Sequence, residues 1–99
     1  MTRYEQIIEW IFRKNYQPGE VIVRFNRDEL VHASSDLGFA RIKNLGDIPY
    51  SFRFRRELPE TIQSTAPKDA EWIIVGMGEP ILYCRVRRSR PVIDLVLFK

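Results

Sequence analysis

Residues 41–56 read Arg-Ile-Lys-Asn-Leu-Gly-Asp-Ile-Pro-Tyr-Ser-Phe-Arg-Phe-Arg-Arg, and the fold turns on how this stretch is read. It carries five bases (Arg41, Lys43, Arg53, Arg55, Arg56) and one acid, Asp47, with Tyr50, Phe52 and Phe54 set among the arginines. As a helix, Leu45, Ile48 and Phe52 fall on one face at i, i+3 and i+7, while Tyr50, Arg53 and Phe54 point elsewhere. Asn44 or Asp47 would cap it, and Pro49 would sit in the first turn, where its missing N–H costs little. A strand from Ser51 to Arg56, with Phe and Arg alternating, is the competing reading. A helix held by apolar anchors on one side leaves guanidinium groups on the other, free to reach phosphates or base edges.

Working outward, residues 3–15 carry apolar side chains at Tyr4, Ile7, Ile8, Ile11 and Phe12, one face of a helix. Thr2 and Glu5 before and within it have the capping-box spacing. Trp10 lies off that face and is expected to pack under a later segment. Pro18-Gly19 marks a turn, and Val21 to Phe25 reads as a short strand. Asn26, with Glu29 three residues on, opens a second helix whose inner face would hold Leu30, Val31, Ser34 and Leu37. Gly38 is placed to end it. After the featured stretch, Leu58 to Thr61 starts a short helical turn that Pro67 stops. Trp72 to Val75 and Ile81 to Arg87 then form a hairpin about Gly76 to Pro80. Val92 to Phe98 is a further strand-like run.

The order helix, strand, helix, helix, helical turn, hairpin predicts an α+β domain of winged-helix type. Its core would be two helices joined by a tight connection, with a C-terminal β-hairpin as the wing. The expected organisation is one domain over residues 1–90, with 91–99 a C-terminal strand or the start of a following domain.

Charge follows the same map. The net charge is only +3, but arginine outnumbers lysine twelve to four, and the excess gathers in residues 41–56 and 85–90. Residues 57–80 hold five acids and Lys68. One basic block lies on the candidate recognition helix and the other on the returning strand of the hairpin. The expected DNA-binding residues are therefore Arg41, Lys43, Tyr50, Arg53, Arg55, Arg56, Arg85, Arg87 and Arg88. Tyr50 and Arg53 would face the groove, and the other arginines would hold phosphates. Double-stranded DNA is the expected partner. A protein-interaction or dimerisation helix, with Tyr50, Phe54, Trp10 and Tyr83 exposed and arginines as its rim, is the alternative. Single-stranded nucleic acid stacked on Tyr50, Phe52 and Phe54 would require the strand reading.

Other chemistry finds little footing. A single cysteine, Cys84, excludes an internal disulfide, and one histidine, His32, with one cysteine makes a poor zinc set. Glu57 and Glu60 read as solvated residues of a helical turn, and His32 with Asp28 as a local helical pair. Asp94 is followed by no Glu-x-Lys of the kind a magnesium-dependent nuclease uses. No catalytic site, metal or cofactor is expected within residues 1–99. No apolar run approaches the ~20 residues that span a bilayer, and no leader is read at the N-terminus, so a cytoplasmic setting is expected.

The strings Lys43-Asn44-Leu45-Gly46-Asp47-Ile48, Tyr50-Ser51-Phe52-Arg53-Phe54-Arg55, Leu58-Pro59-Glu60-Thr61-Ile62 and Glu71-Trp72-Ile73-Ile74-Val75-Gly76-Met77-Gly78 resemble an N-terminal winged-helix module. That module belongs to a family of prokaryotic restriction-endonuclease-like proteins. The resemblance spans roughly residues 3–86 and implies DNA binding ahead of a separate nuclease domain. This chain departs from the family pattern after the hairpin turn, where Glu79-Pro80-Ile81-Leu82 replaces further glycines and an aromatic.

Overall fold

The computed structural model describes residues 2–40, 42–75 and 81–86, the last six as backbone together with the Leu82 side chain. Its elements are α1 (Arg3–Asn15), β1 (Ile22–Arg24), α2 (Arg27–Asp36), α3 (Asp47–Phe54), α4 (Glu60–Gln63), β2 (Ala70–Val75) and β3 (Ile81–Val86). The class is α+β. The expected turn at 76–80 and the run Val92 to Phe98 lie outside the described residues.

Both long helices begin as their sequences dictate. The Thr2 hydroxyl accepts from the Glu5 N–H at 3.1 Å while the Glu5 carboxylate accepts from the Thr2 N–H at 2.8 Å. Asn26 and Glu29 repeat this exchange at the start of α2, each bond 3.1 Å. These reciprocal bonds satisfy N–H groups that a helix start otherwise leaves without partners. Glu29 also accepts from the Asn15 side chain at 2.7 Å, fastening the end of α1 to the start of α2. The Trp10 indole N–H donates to Asp36 at 2.7 Å at the far end of the same helix pair. Trp10 thus packs half-buried against the core's margin, as its bulk suggested.

α1 buries Ile7, Ile8, Ile11 and Phe12, and α2 buries Leu30, Ala33 and Ser34. Val31 does not belong to that inner face: it is 48% exposed. One residue of offset on a helix is about 100° of rotation, so a face centred on Leu30, Ala33 and Ser34 leaves Val31 to one side. Gly38 follows α2 at φ +77°, a conformation glycine adopts without a Cβ penalty, and the Phe39 N–H then returns to the Ser34 carbonyl at 3.0 Å.

The chain does not then turn tightly into the next helix. Ten residues, 37–46, connect α2 to α3, and Leu37, Phe39, Ile42 and Leu45 pin this connection against the core. The tight helix-to-helix connection expected from the sequence is therefore replaced by a long, core-anchored one.

The three strands form one antiparallel sheet in the order β1-β3-β2, so β3 is central. Register places Val23 beside Leu82 and Leu82 beside Ile74. All three are buried, giving a single apolar row across the sheet. Trp72, on the same side of β2 as Ile74, is 1% exposed. Its ring meets Phe12 edge-on at 5.2 Å and Tyr16 at 5.9 Å, which seats α1 on the sheet. The Gln63 amide pairs with both backbone groups of Trp72, at 2.8 and 2.9 Å, like a one-residue extra strand on the outer edge of β2. A blocked edge of this kind discourages pairing with other chains.

α3 has only eight residues and would be marginal alone. Ile48, Ser51 and Phe52 bury its inner face, and helix, not strand, is the state of Ser51 to Phe54. Leu45 lies just before the helix and is half-buried. Replacing Ile48 by Ala should cost about 2–5 kcal/mol in urea denaturation. Replacing Phe54 by Ala on the outer face should stay within about 0.5 kcal/mol. Equal losses at the two positions would contradict this division of the helix.

Candidate functional site

The start of α3 is not capped as the sequence suggested. Gly46 occupies the N-cap position with no side-chain bond, and neither Asn44 nor Asp47 caps through its side chain. The Asn44 carbonyl instead accepts from the Asp47 N–H at 3.1 Å. The Asp47 carboxylate accepts from the Tyr4 hydroxyl at 2.9 Å, joining the first turns of α1 and α3. Its charge still lies in the first turn of α3, where it favours the helix dipole. Pro49 is the third residue of α3, inside the tolerated first turn.

From this anchored base α3 turns a different chemistry outward. Tyr50 is 48% exposed and Phe54, one turn later, 61%. Their rings touch, with centroids 4.9 Å apart at 52°. The Arg53 guanidinium lies 4.9 Å from the Phe54 centroid, and that of Arg55 lies 5.2 Å from the Tyr50 centroid. The four side chains form a continuous cation–ring–ring–cation array over the exposed side of α3 and its C-cap residue, Arg55. Guanidinium groups held over rings lose some of their rotamer freedom.

Arg56 is placed differently. Its Nη1 donates to the Thr2 hydroxyl at 3.3 Å, bracing the end of α3 against the start of α1. This bond uses one of the five donors of the guanidinium and gives the residue a structural part that the sequence did not suggest. Arg53 and Arg56 also line a cleft of about 410 Å³ between α3, α4 and β2. Glu57, Glu60 and Glu71 line it as well, so the cleft is mixed in charge. Lys43 is exposed on the 37–46 connection, where it lines a groove together with Arg27 and Val31 of α2.

Of the expected site residues, the structure therefore brings Tyr50, Arg53 and Arg55 together about the two rings, Arg53 and Arg56 together along the cleft, and Lys43 onto the groove beside α2. Arg85 is placed by backbone alone, at the register position opposite Glu71. Arg41, Arg87 and Arg88 lie outside the described residues. Phe54 completes the array although the sequence reading kept it for a protein contact or for stacking single-stranded bases. Its spacing of four from Tyr50 was the available signal. Tyr4 and Thr2, the residues that seat α3 and Arg56, are distant in sequence and carried no such signal.

Elsewhere His32 and Asp28 are both exposed on α2, and Glu57 and Glu60 are exposed about α4. Among the described residues no group of three or more His, Cys, Asp or Glu side chains is arranged to hold a metal ion. No helix among them is long and apolar enough to cross a membrane. No protein-family model matches the chain, and comparison with curated proteins and with solved structures returns no match.

Two ionisations report on the α1–α3 junction. Burial, then the hydrogen bond to Asp47 and that carboxylate's charge, raise the Tyr4 pKa above its usual 10.0. The hydrogen bonds from the Thr2 backbone and side chain hold the Glu5 carboxyl below its usual 4.5. For Tyr4 the folded state favours the neutral phenol. Its contribution is complete below the unfolded pKa and fades as pH rises through the higher folded value. Glu5 has the opposite sign: its contribution is present above the unfolded pKa and fades as pH falls through the lower folded value. Tyr4→Phe should therefore flatten the loss of stability above about pH 10, read by urea denaturation across pH. An unchanged alkaline limb would remove the Tyr4–Asp47 bond from the account.

Proposed function

We propose that this domain is a winged helix that binds double-stranded DNA through the outward face of α3. The observation that carries the reading is the two-sided character of that helix. Ile48, Ser51 and Phe52 fix it in the core, while Tyr50, Arg53, Phe54 and Arg55 form an exposed basic and aromatic array. A helix presented in this way can enter the major groove, which admits an α-helix and displays a distinct pattern for each base pair.

The topology supports the same reading. The strand between the first two helices, β1, pairs with β3, which pairs with β2, so the C-terminal strand pair is stitched to the helical layer through β1. A hairpin extending from such a sheet is the wing of a winged helix. The long 37–46 connection departs from the short turn of a simple helix-turn-helix, which usually has three or four residues.

In this reading Arg53 and Tyr50 reach base edges and Arg55 meets a phosphate. Arg85, Arg87 and Arg88 would hold phosphates, with Arg41 and Lys43 flanking the helix start. Arg56 braces the helix through Thr2. The resemblance to restriction-endonuclease-like proteins adds the further proposal that such a module targets a nuclease domain.

Fluorescence anisotropy on a duplex library, titrated across salt, tests the assignment. Affinity should fall with a log–log slope of about −0.9 per phosphate contacted. Arg55→Ala should weaken binding to all sequences alike and reduce that slope by about one contact. Arg53→Ala should instead relax sequence preference by about 1–3 kcal/mol. Binding that ignores salt, or none at low salt, contradicts the proposal.

The exposure of two touching rings, Tyr50 and Phe54, favours one second reading: α3 docks a protein, including another copy of this chain. Sedimentation without DNA separates the two. A concentration-dependent dimer lost on Phe54→Ala would support the protein contact, and a monomer at all concentrations would remove self-association.

A further inference from the structure

The long connection between α2 and α3 creates a feature separate from the α3 array. It runs beside α2 without covering Val31, which stays 48% exposed. Between them lies a groove of about 470 Å³. Val31, Phe39, Ile42 and Leu45 supply its apolar lining, and Arg27 and Lys43 supply its charge. Arg27 and Val31 are one helical turn apart on α2, so the cation and the apolar patch share a helix face. Among the described residues no acidic side chain lines the groove, although the chain carries thirteen acids.

This combination selects a kind of occupant. An apolar ligand alone would leave two cations without a counter-charge. A bare phosphate would leave four apolar side chains facing water. A molecule with one anionic head and an apolar body satisfies both parts. The volume lies within the range of about 300–1,000 Å³ typical of small-molecule sites.

We infer that this groove binds a small amphipathic anion of the medium-chain carboxylate class. The carboxylate meets Arg27 and Lys43, and the alkyl chain lies along Val31, Phe39, Ile42 and Leu45. None of the groove's eight lining residues belongs to the α3 array, and Lys43 alone is shared with the DNA reading. The connection that lines the groove nevertheless leads straight into Gly46 and Asp47, so an occupant would touch the segment that delivers α3.

Octanoate titrated into the full chain, followed by amide chemical shifts, tests this. Saturable shifts confined to residues 27–45 are expected. Octan-1-ol, of equal length but uncharged, should bind at least about tenfold more weakly, because it offers the cations no counter-charge. Lys43→Glu and Val31→Asp should each weaken octanoate by about tenfold, through charge and through loss of apolar contact. Both positions are exposed, and thermal melts check that the variants fold; Lys43→Glu suffices if Val31→Asp does not. Shifts centred on Tyr50 and Phe54, equal binding of octan-1-ol, no saturation, or indifference to Lys43→Glu would overturn the inference.

Discussion

Trp72 is the joint on which the molecule is assembled. Its ring meets the stacked pair Phe12 and Tyr16 of the α1 segment edge-on, and its indole N–H donates to the Thr65 hydroxyl at 2.9 Å. Its backbone N–H and carbonyl are both held by the Gln63 amide. One residue thereby ties α1, the α4 turn and the edge of the sheet to a common point. A buried tryptophan contributes a large apolar area, and its N–H must find a partner when it leaves water. Here that partner is supplied by the same α4 turn that blocks the strand edge. With the sheet fixed against α1, β2 offers α3 a rigid surface, and the inner face of α3 closes over it.

Function in this account follows from that rigidity. An eight-residue helix has little stability of its own. Its outward groups become a usable surface only because Ile48 and Phe52 are buried and Asp47 is bound to Tyr4. Arg56, braced on Thr2, holds the other end. The rings of Tyr50 and Phe54 then give the Arg53 and Arg55 guanidinium groups defined seats. The ordering entropy that flexible arginines would lose on binding is thus partly lost already in the free protein.

What could be read in the sequence was local. Thr2 with Glu5, and Asn26 with Glu29, are signals contained within four residues, and both helix starts fell where they pointed. The inner face of α1 and the two faces of α3 were visible in the spacing of apolar residues. What could not be read depends on partners far away in the chain. Asp47 looked like a cap because nothing local reveals that Tyr4, 43 residues earlier, takes its carboxylate. The bond from Arg56 to Thr2 was hidden in the same way, by a separation of 54 residues. Val31 was assigned inward because apolar character suggests burial, whereas the long 37–46 connection leaves its side of α2 uncovered. The pairing of β1 with β3 also joins segments that no short window contains.

The central claim is that the outward array of α3, and not the mixed-charge cleft beside it, meets the nucleic acid. Amide and arginine side-chain chemical shifts recorded while a short duplex is added to the protein at low salt test it most directly. The account predicts the largest changes at Tyr50, Arg53, Phe54 and Arg55, with Ile48 and Phe52 little altered. Changes centred on Glu57, Glu60 and Glu71, or a spectrum that the duplex leaves untouched, would contradict it.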